Sequence, residues 1–175
     1  INFDGSGLKQ IDDTDMNISN YSAADNGEAF VVTASRVDTA PVNYVYSKQG
    51  KKSVELGKAD LSQLFAAGYK YPERFKVKAA DGITDLYYRM VLPADFDEKK
   101  KYPTIVYVYG GPHAHLVDAS WHWSSRGWET YMAQKGYIVF ILDGRGSEWR
   151  GREFEQATFR QFGTVECQDQ YKGVE

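Results

Sequence analysis

The chain has 175 residues, of which 42% are hydrophobic and 15% aromatic, a composition that predicts a folded globular protein rather than a disordered one. Its formal net charge is −3 and its basic residues are scattered, which argues against nucleic acid as a partner. No apolar run approaches the ~18 residues of a transmembrane helix, so we expect no membrane span in this segment. The single cysteine, Cys167, excludes an internal disulfide and a cysteine-cluster metal site, and we expect it to pack as a buried thiol.

Residues 1–70 alternate short apolar runs with turn residues. The runs 29–33 (AFVVT) and 42–46 (VNYVY) are typical of strands, and Asp25-Asn26-Gly27 and Gln49-Gly50 are typical of the turns beside them. The spacing predicts antiparallel β structure. A sandwich, a barrel and part of a propeller blade all remain open, because no second copy of a repeat distinguishes them.

Residues 71–175 predict a mixed sheet. Residues 74–79 alternate charged and apolar side chains, and an Asp81-Gly82 turn joins them to residues 86–92, which predicts a hairpin with one face in water. Residues 104–109 and 137–142 are continuous apolar runs, as expected for parallel strands covered on both faces.

Two further patterns predict helices. Residues 128–132 have helical spacing and precede a helix stop at Gly136. After a Thr164 cap, residues 165–175 predict a second helix with an apolar face formed by Cys167, Tyr171 and Val174. The predicted order is two antiparallel strands, a parallel strand, a helix and a second parallel strand. This order resembles the opening of an α/β-hydrolase sheet. The parallel strands need neighbours that this sequence does not supply, so we expect a fragment of a larger protein.

The segment VYVYGGPH, residues 106–113, ends an apolar run at two glycines and a proline. If Tyr109 is the last strand residue, its side chain projects from the carboxyl edge of the sheet, where α/β-hydrolases place an oxyanion-hole loop. The alternative is an ordinary core aromatic residue whose hydroxyl is bonded locally.

Two other motifs suggest ligand sites more weakly. Residues 143–147 (DGRGS) follow a strand as a dinucleotide loop does, but Trp149 replaces the third glycine of that motif. His113, His115 and Asp118 could hold zinc in principle, although three ligands from one loop lack a fixed scaffold. We therefore expect neither a cofactor nor a metal ion.

Three segments carry a resemblance to a known family. KYPTIVYVYGGPHAHLV, YMAQKGYIVFILDGRGSEWRGREFEQA and FGTVECQDQYKGVE resemble the prolyl oligopeptidase family of serine peptidases, and within it the dipeptidyl peptidase IV subfamily, including bacterial dipeptidyl and prolyl tripeptidyl aminopeptidases. The resemblance implies the C-terminal part of a β-propeller over residues 1–70. For residues 71–175 it implies the N-terminal part of an α/β-hydrolase domain, truncated before the nucleophile elbow.

The resemblance also implies roles for individual residues. Tyr109 matches the tyrosine whose hydroxyl donates to the oxyanion, and Pro112 and His113 match positions on the leaving-group side of the cleft. The family's nucleophile lies in Gly-x-Ser-x-Gly, and no serine of this sequence has glycines two positions to either side. We therefore expect this chain alone to be inactive.

The resemblance implies that the longer protein is an exopeptidase that releases N-terminal di- or tripeptides after proline. Its substrates would be peptides with proline near the N-terminus, and its location the bacterial periplasm or cell surface, with a homodimer left open. Two alternatives remain: a catalytically silent binding or scaffold protein on the same fold, and an esterase that shares the α/β-hydrolase architecture.

Overall fold

A computed structural model describes residues 1–11, 14–121 and 127–175. The chain divides into two compact units. The first comprises Ile1–Leu64 and Ala119–His122, and the second comprises Phe65–Asp118 and Trp123–Glu175. A short helix, α1 (Ser62–Ala66), lies where the sequence passes from one unit to the other.

The first unit contains a four-stranded antiparallel sheet in which sequence neighbours pair in order. Its strands are β1 (Asn17–Ala23), β2 (Ala29–Arg36), β3 (Thr39–Ser47) and β4 (Lys52–Lys58). Alternate residues of β2 and β3 face one core cluster, formed by Phe30, Val32, Ala34, Val42, Tyr44 and Tyr46. The prediction of antiparallel strands joined by tight turns is confirmed here.

The second unit contains a mixed four-stranded sheet in the order β5-β6-β8-β7. Strands β5 (Glu73–Lys78) and β6 (Asp85–Val91) form the predicted hairpin, β8 (Ile138–Asp143) pairs antiparallel with β6, and β7 (Thr104–Tyr107) pairs parallel with β8. The helices of this unit are α2 (Gly127–Gln134), α3 (Arg152–Glu155), which continues into a 3-10 turn (Gln156–Thr158), and α4 (Val165–Val174).

Strand β8 is covered on both faces, as its continuous apolar sequence predicts. Val139 and Ile141 pack in one core cluster with Ala133 of α2. Phe140 and Leu142 point to the opposite face and pack against Phe154 of α3. Helix α4 lies on that second face too, since a Cβ atom at Gly173 would come within 3.1 Å of the Leu142 side chain. The sheet is therefore layered between helices at this strand.

Strand β7 differs from the sequence-based prediction in length and in burial. It ends at Tyr107 rather than at Tyr109, because its ladder with β8 stops at the pairing of Tyr107 with Ile141. Val106 in the strand and Val108 just beyond its end are 37% and 47% exposed. Along β7 the exposed residues Thr104 and Val106 alternate with the half-buried Ile105 and Tyr107, so only one face of this strand is covered and its apolar run does not imply burial on both faces.

Helix α4 begins where predicted but buries a different face. The Thr164 side chain does not cap it, because its hydroxyl donates to the Gln161 carbonyl instead. The buried residues are Glu166 and Asp169, whereas Cys167 is exposed. The prediction of a packed thiol is therefore wrong. The side of α4 that faces the protein is set by the contacts of Glu166 and Asp169 with other elements.

Within the part of the chain that the structure describes, no helix combines the length and the apolar character that a bilayer crossing requires.

Candidate active site

The loop that follows β7 brings Tyr109 to the carboxyl edge of the second sheet. Tyr109 is 59% exposed. Gly110 turns the backbone with a φ of 68°, a conformation that glycine adopts without steric cost. Gly111 is buried, and a Cβ atom built on it would lie 3.9 Å from ring atoms of both Tyr109 and Phe162. The backbone therefore passes close to these two aromatic rings.

The other two predicted site residues lie on the same loop. Pro112 is half-buried, and His113 is exposed with a φ of 64°, which residues other than glycine rarely adopt. His115, the second histidine of the zinc hypothesis, lies near a carboxylate instead, with its Nε2 atom 3.5 Å from Oδ2 of Asp143. Over residues 1–11, 14–121 and 127–175, histidine, cysteine and acidic side chains form no group of three that could hold a metal ion.

Asp143, the last residue of β8, anchors the far end of this loop. Its carboxylate accepts the N–H of Leu116 at 2.9 and 3.0 Å and the N–H of Val117 at 2.7 Å. The side chain is 4% exposed. Burial raises the pKa of Asp143, while the two N–H donors, His115 and Arg89 act in the opposite direction.

A buried ion pair lies next to the carbonyl side of the peptide group that joins Leu116 to Val117. Arg89 of β6 donates to Glu129 of α2 in a bidentate arrangement, at 2.7 and 3.1 Å, and both side chains are at most 2% exposed. The Nε atom of Arg89 lies 3.4 Å from the Leu116 carbonyl oxygen. Sequence reasoning missed this pair, although an arginine within the apolar run LYYRMVL was a usable signal, because a buried cation needs an acidic partner.

The side-chain hydrogen-bond donors of the DGRGS turn bind other groups of the protein. The Arg145 guanidinium donates to both oxygens of Asp169 at 2.9 and 2.8 Å and to Asp81 at 2.9 Å. The Ser147 hydroxyl donates to the Gly144 carbonyl at 2.9 Å. These contacts leave the turn with a structural use in place of the phosphate contacts that a dinucleotide loop would make.

A cavity of about 10 Å³ lies beneath the loop, lined in part by Tyr109, Gly110, Gly111, Glu166 and Gln170. The Oε2 atom of Glu166 and the Oε1 atom of Gln170 are buried without a hydrogen-bond partner among the described residues. A space of this size suits a single water molecule and is far too small for an organic cofactor.

Comparison with known proteins links this geometry to a family. Residues 123–175 match the model of the Prolyl oligopeptidase family. The chain is 39% identical over 98 residues to prolyl endopeptidase FAP of Mus musculus, covering 55% of this chain, and 36% identical over 107 residues to dipeptidyl peptidase 8 of Homo sapiens, covering 61% of it. Both matches span 12% of the relative's length.

A solved structure has a similar fold over most of the chain. The crystal structure of a candidate dipeptidyl aminopeptidase IV from Bacteroides ovatus superposes with a TM-score of 0.80 and 44% sequence identity. The superposition covers 92% of this chain and 23% of that one, so these residues correspond to a minor part of a longer protein. By these matches in sequence and in fold, the chain is similar to the prolyl oligopeptidase family.

Proposed function

We propose that the longer protein to which these residues correspond is a serine exopeptidase of the dipeptidyl peptidase IV type. It releases N-terminal di- or tripeptides after proline through an acyl-enzyme. The observation that carries this proposal is the exposed Tyr109 side chain on a glycine turn at the carboxyl edge of two parallel strands. That edge is where open α/β sheets bind their ligands. The family match supplies the reaction class.

The two sheets support the proposed domain organisation. We assign residues 1–70 to the end of a β-propeller, because a four-stranded antiparallel sheet in sequence order is the form of a propeller blade. We assign residues 71–175 to the N-terminal half of an α/β-hydrolase domain, on the mixed sheet with helices on both faces of β8.

In this proposal Tyr109 stabilises charge rather than forming the covalent bond. Its hydroxyl donates to the oxygen that becomes negative when the nucleophile attacks the scissile carbonyl. Pro112 and His113 border the side from which the leaving peptide departs. The nucleophile, its base and the acid that orients the base lie in other parts of the longer protein, since no serine here stands in Gly-x-Ser-x-Gly. No cofactor or metal ion takes part. The location of the longer protein in the bacterial periplasm or at the cell surface, and its homodimeric state, remain predictions from the resemblance.

A substrate panel on the full-length protein tests the proposal. We expect hydrolysis of chromogenic dipeptides and tripeptides that end in proline, with little hydrolysis of the same peptides carrying an acetylated N-terminus. Preference for simple esters would favour an esterase instead. Absence of both activities, together with no labelling by a serine-directed organophosphate, would favour a catalytically silent scaffold.

The 175-residue chain gives a separate expectation. An oxyanion donor without a nucleophile and a base provides no route to an acyl-enzyme, so we expect the purified chain neither to hydrolyse these substrates nor to form a covalent organophosphate adduct. Intact-mass spectrometry after incubation with the reagent checks this, and a stoichiometric adduct would contradict it.

A further inference from the structure

We propose that Asp143 is a positioning residue for the loop that carries Tyr109: its buried carboxylate ties the far end of that loop to the strand that already holds the near end. The inference rests on the proposed role of Tyr109 and deepens it.

Both ends of the loop are attached to β8. The near end is held by the β7 ladder, whose last pairing joins Tyr107 to Ile141. The far end is held by the N–H groups of Leu116 and Val117, which donate to the Asp143 carboxylate at 2.7 to 3.0 Å. Ile141 and Asp143 are two residues apart on one strand, so residues 108–115 form a loop that is closed on a single rigid element.

A carboxylate suits this position because two adjacent backbone N–H groups converge on it. Its two oxygens accept three contacts here, whereas a neutral amide has one acceptor oxygen for the same donors. Hydrogen bonds to a charged, buried acceptor are stronger than those between neutral groups. The ionisable groups that face Asp143 are the His115 imidazole, 3.5 Å away, and the Arg89 guanidinium, which is itself paired with Glu129.

The Leu116 peptide is held on its carbonyl side as well, since Arg89 Nε lies 3.4 Å from that oxygen. The Leu116 and Val117 side chains are buried in the core cluster shared with α2. Loss of the Asp143 carboxylate should therefore loosen the loop without unfolding the unit. Misplacement of a reacting group by about 1 Å can cost roughly 100-fold in rate, so a loosened loop should act on the chemical step.

The test compares Asp143→Asn with Asp169→Asn in the full-length protein. Asp169 is a second fully buried carboxylate in the same unit, but it binds Ala80 and Arg145 rather than the loop. For Asp143→Asn we expect hydrogen exchange of the Leu116 and Val117 amides to rise at least about tenfold, and kcat to fall by about 10- to 100-fold with KM within about twofold. For Asp169→Asn we expect neither change.

A double-variant cycle with Tyr109→Phe separates positioning from a general structural effect. If Asp143 acts through the Tyr109 hydroxyl, Asp143→Asn should lower kcat by less than about threefold once that hydroxyl is absent. An equal fold-loss of kcat in both backgrounds, or unchanged exchange of the two amides, would overturn the inference.

Failure of the proposed function gives a different result. A wild-type protein without peptidase activity, or a Tyr109→Phe variant with full turnover, would reject the oxyanion role and the positioning role with it. The exchange measurement would still show whether Asp143 anchors the loop, because it does not depend on activity.

Discussion

Tyr109 is the residue on which the proposed chemistry depends, and its exposure bears on the two roles that its sequence position allows. A core aromatic residue packs its ring and satisfies its hydroxyl locally. Tyr109 is 59% exposed, so its ring is not packed in the core of the described residues. The positive φ of Gly110 and the buried Gly111 backbone direct the ring to that place.

Replacing Tyr109 with phenylalanine should affect turnover and not stability. In the full-length protein, Tyr109→Phe removes only the hydroxyl, so we expect kcat to fall by about 10²- to 10³-fold, as for other single oxyanion donors, with KM little changed. Steady-state kinetics on a proline-containing dipeptide substrate and a thermal melt check this. Full turnover combined with a melting temperature several degrees lower would show that the ring serves packing alone.

Gly146 in the DGRGS turn should not tolerate a side chain. Its φ is 103°, and a Cβ atom there would come within 2.5 Å of Cγ2 of the buried Thr158. We expect Gly146→Ala to lower the free energy of unfolding by roughly 1 to 3 kcal/mol, through backbone strain and overpacking together.

Gly82 provides the matched control for Gly146. Its φ is 74°, but a Cβ atom there would meet nothing within 4 Å, so Gly82→Ala carries the backbone cost of about 1 kcal/mol without the clash. Urea unfolding followed by tryptophan fluorescence measures both variants. Equal losses would mean that Thr158 moves aside freely.

Among the elements, the hairpin and the parallel pair follow from sequence, because their signals are local. The Asp81-Gly82 turn and the alternation in β5 specify the hairpin, and the uninterrupted apolar run predicts the burial of β8. The end of β7 and the buried face of α4 do not follow from sequence. Each is decided by a residue far away in the sequence. The β7 ladder ends at the pairing of Tyr107 with Ile141, and the contact of Asp169 with Arg145 turns that face of α4 towards the protein.

The candidate site was predictable to a similar extent. The Tyr-Gly-Gly-Pro motif identifies the loop, because glycine and proline have specific backbone requirements. Asp143 and Glu129, which help to hold the loop in place, have no local signature. Arg89 within its apolar run indicates that a buried acidic partner exists, but it does not identify that partner.

The turn of the β5–β6 hairpin should make stability depend on acid pH. The Thr84 and Ile83 N–H groups donate to Asp81, and together with the Thr84 hydroxyl and Arg145 they lower the pKa of Asp81 from 3.8 to about 2. A carboxylate whose pKa is lower in the folded state stabilises the fold above its unfolded pKa, and that stabilisation is lost as the pH falls through the folded value.

We therefore expect Asp81→Asn to be less stable than wild type at pH 5, and the difference to shrink as the pH falls from 4 towards 2. Urea unfolding over this range measures it. Thr84→Val removes the hydroxyl donor but keeps the backbone donor, so its difference from wild type should be smaller. A difference between wild type and Asp81→Asn that stays constant with pH would contradict the assignment.

At the scale of the whole molecule, α4 presents an apolar groove to solvent. The groove has a volume of about 400 Å³ and is lined by Val108, Cys167, Tyr171 and Val174 together with Glu166 and Gln170. Tyr171 and Val174 are 72% and 56% exposed. Contiguous apolar surface of this kind on a protein in water favours association.

We expect the purified 175-residue chain to self-associate through this groove and the open edge of β7. Tyr171→Lys together with Val174→Lys should shift the sedimentation profile towards the monomer. Tyr131→Lys is the control, because Tyr131 on α2 is also exposed, at 56%, but lies outside the groove. A sharp monomer peak for the wild-type chain at all concentrations would contradict this prediction.

The contacts of Asp169 define how short a folded piece of this protein can be. One buried carboxylate of α4 accepts the amides of Ala80 and Arg145 and the Arg145 guanidinium, so it joins the hairpin turn, the turn after β8 and the helix. A polypeptide cut at Thr164 would leave these donors unpaired around an arginine whose side chain is only 17% exposed. Protease sites and expression boundaries chosen for this region should therefore fall after α4 and not before it.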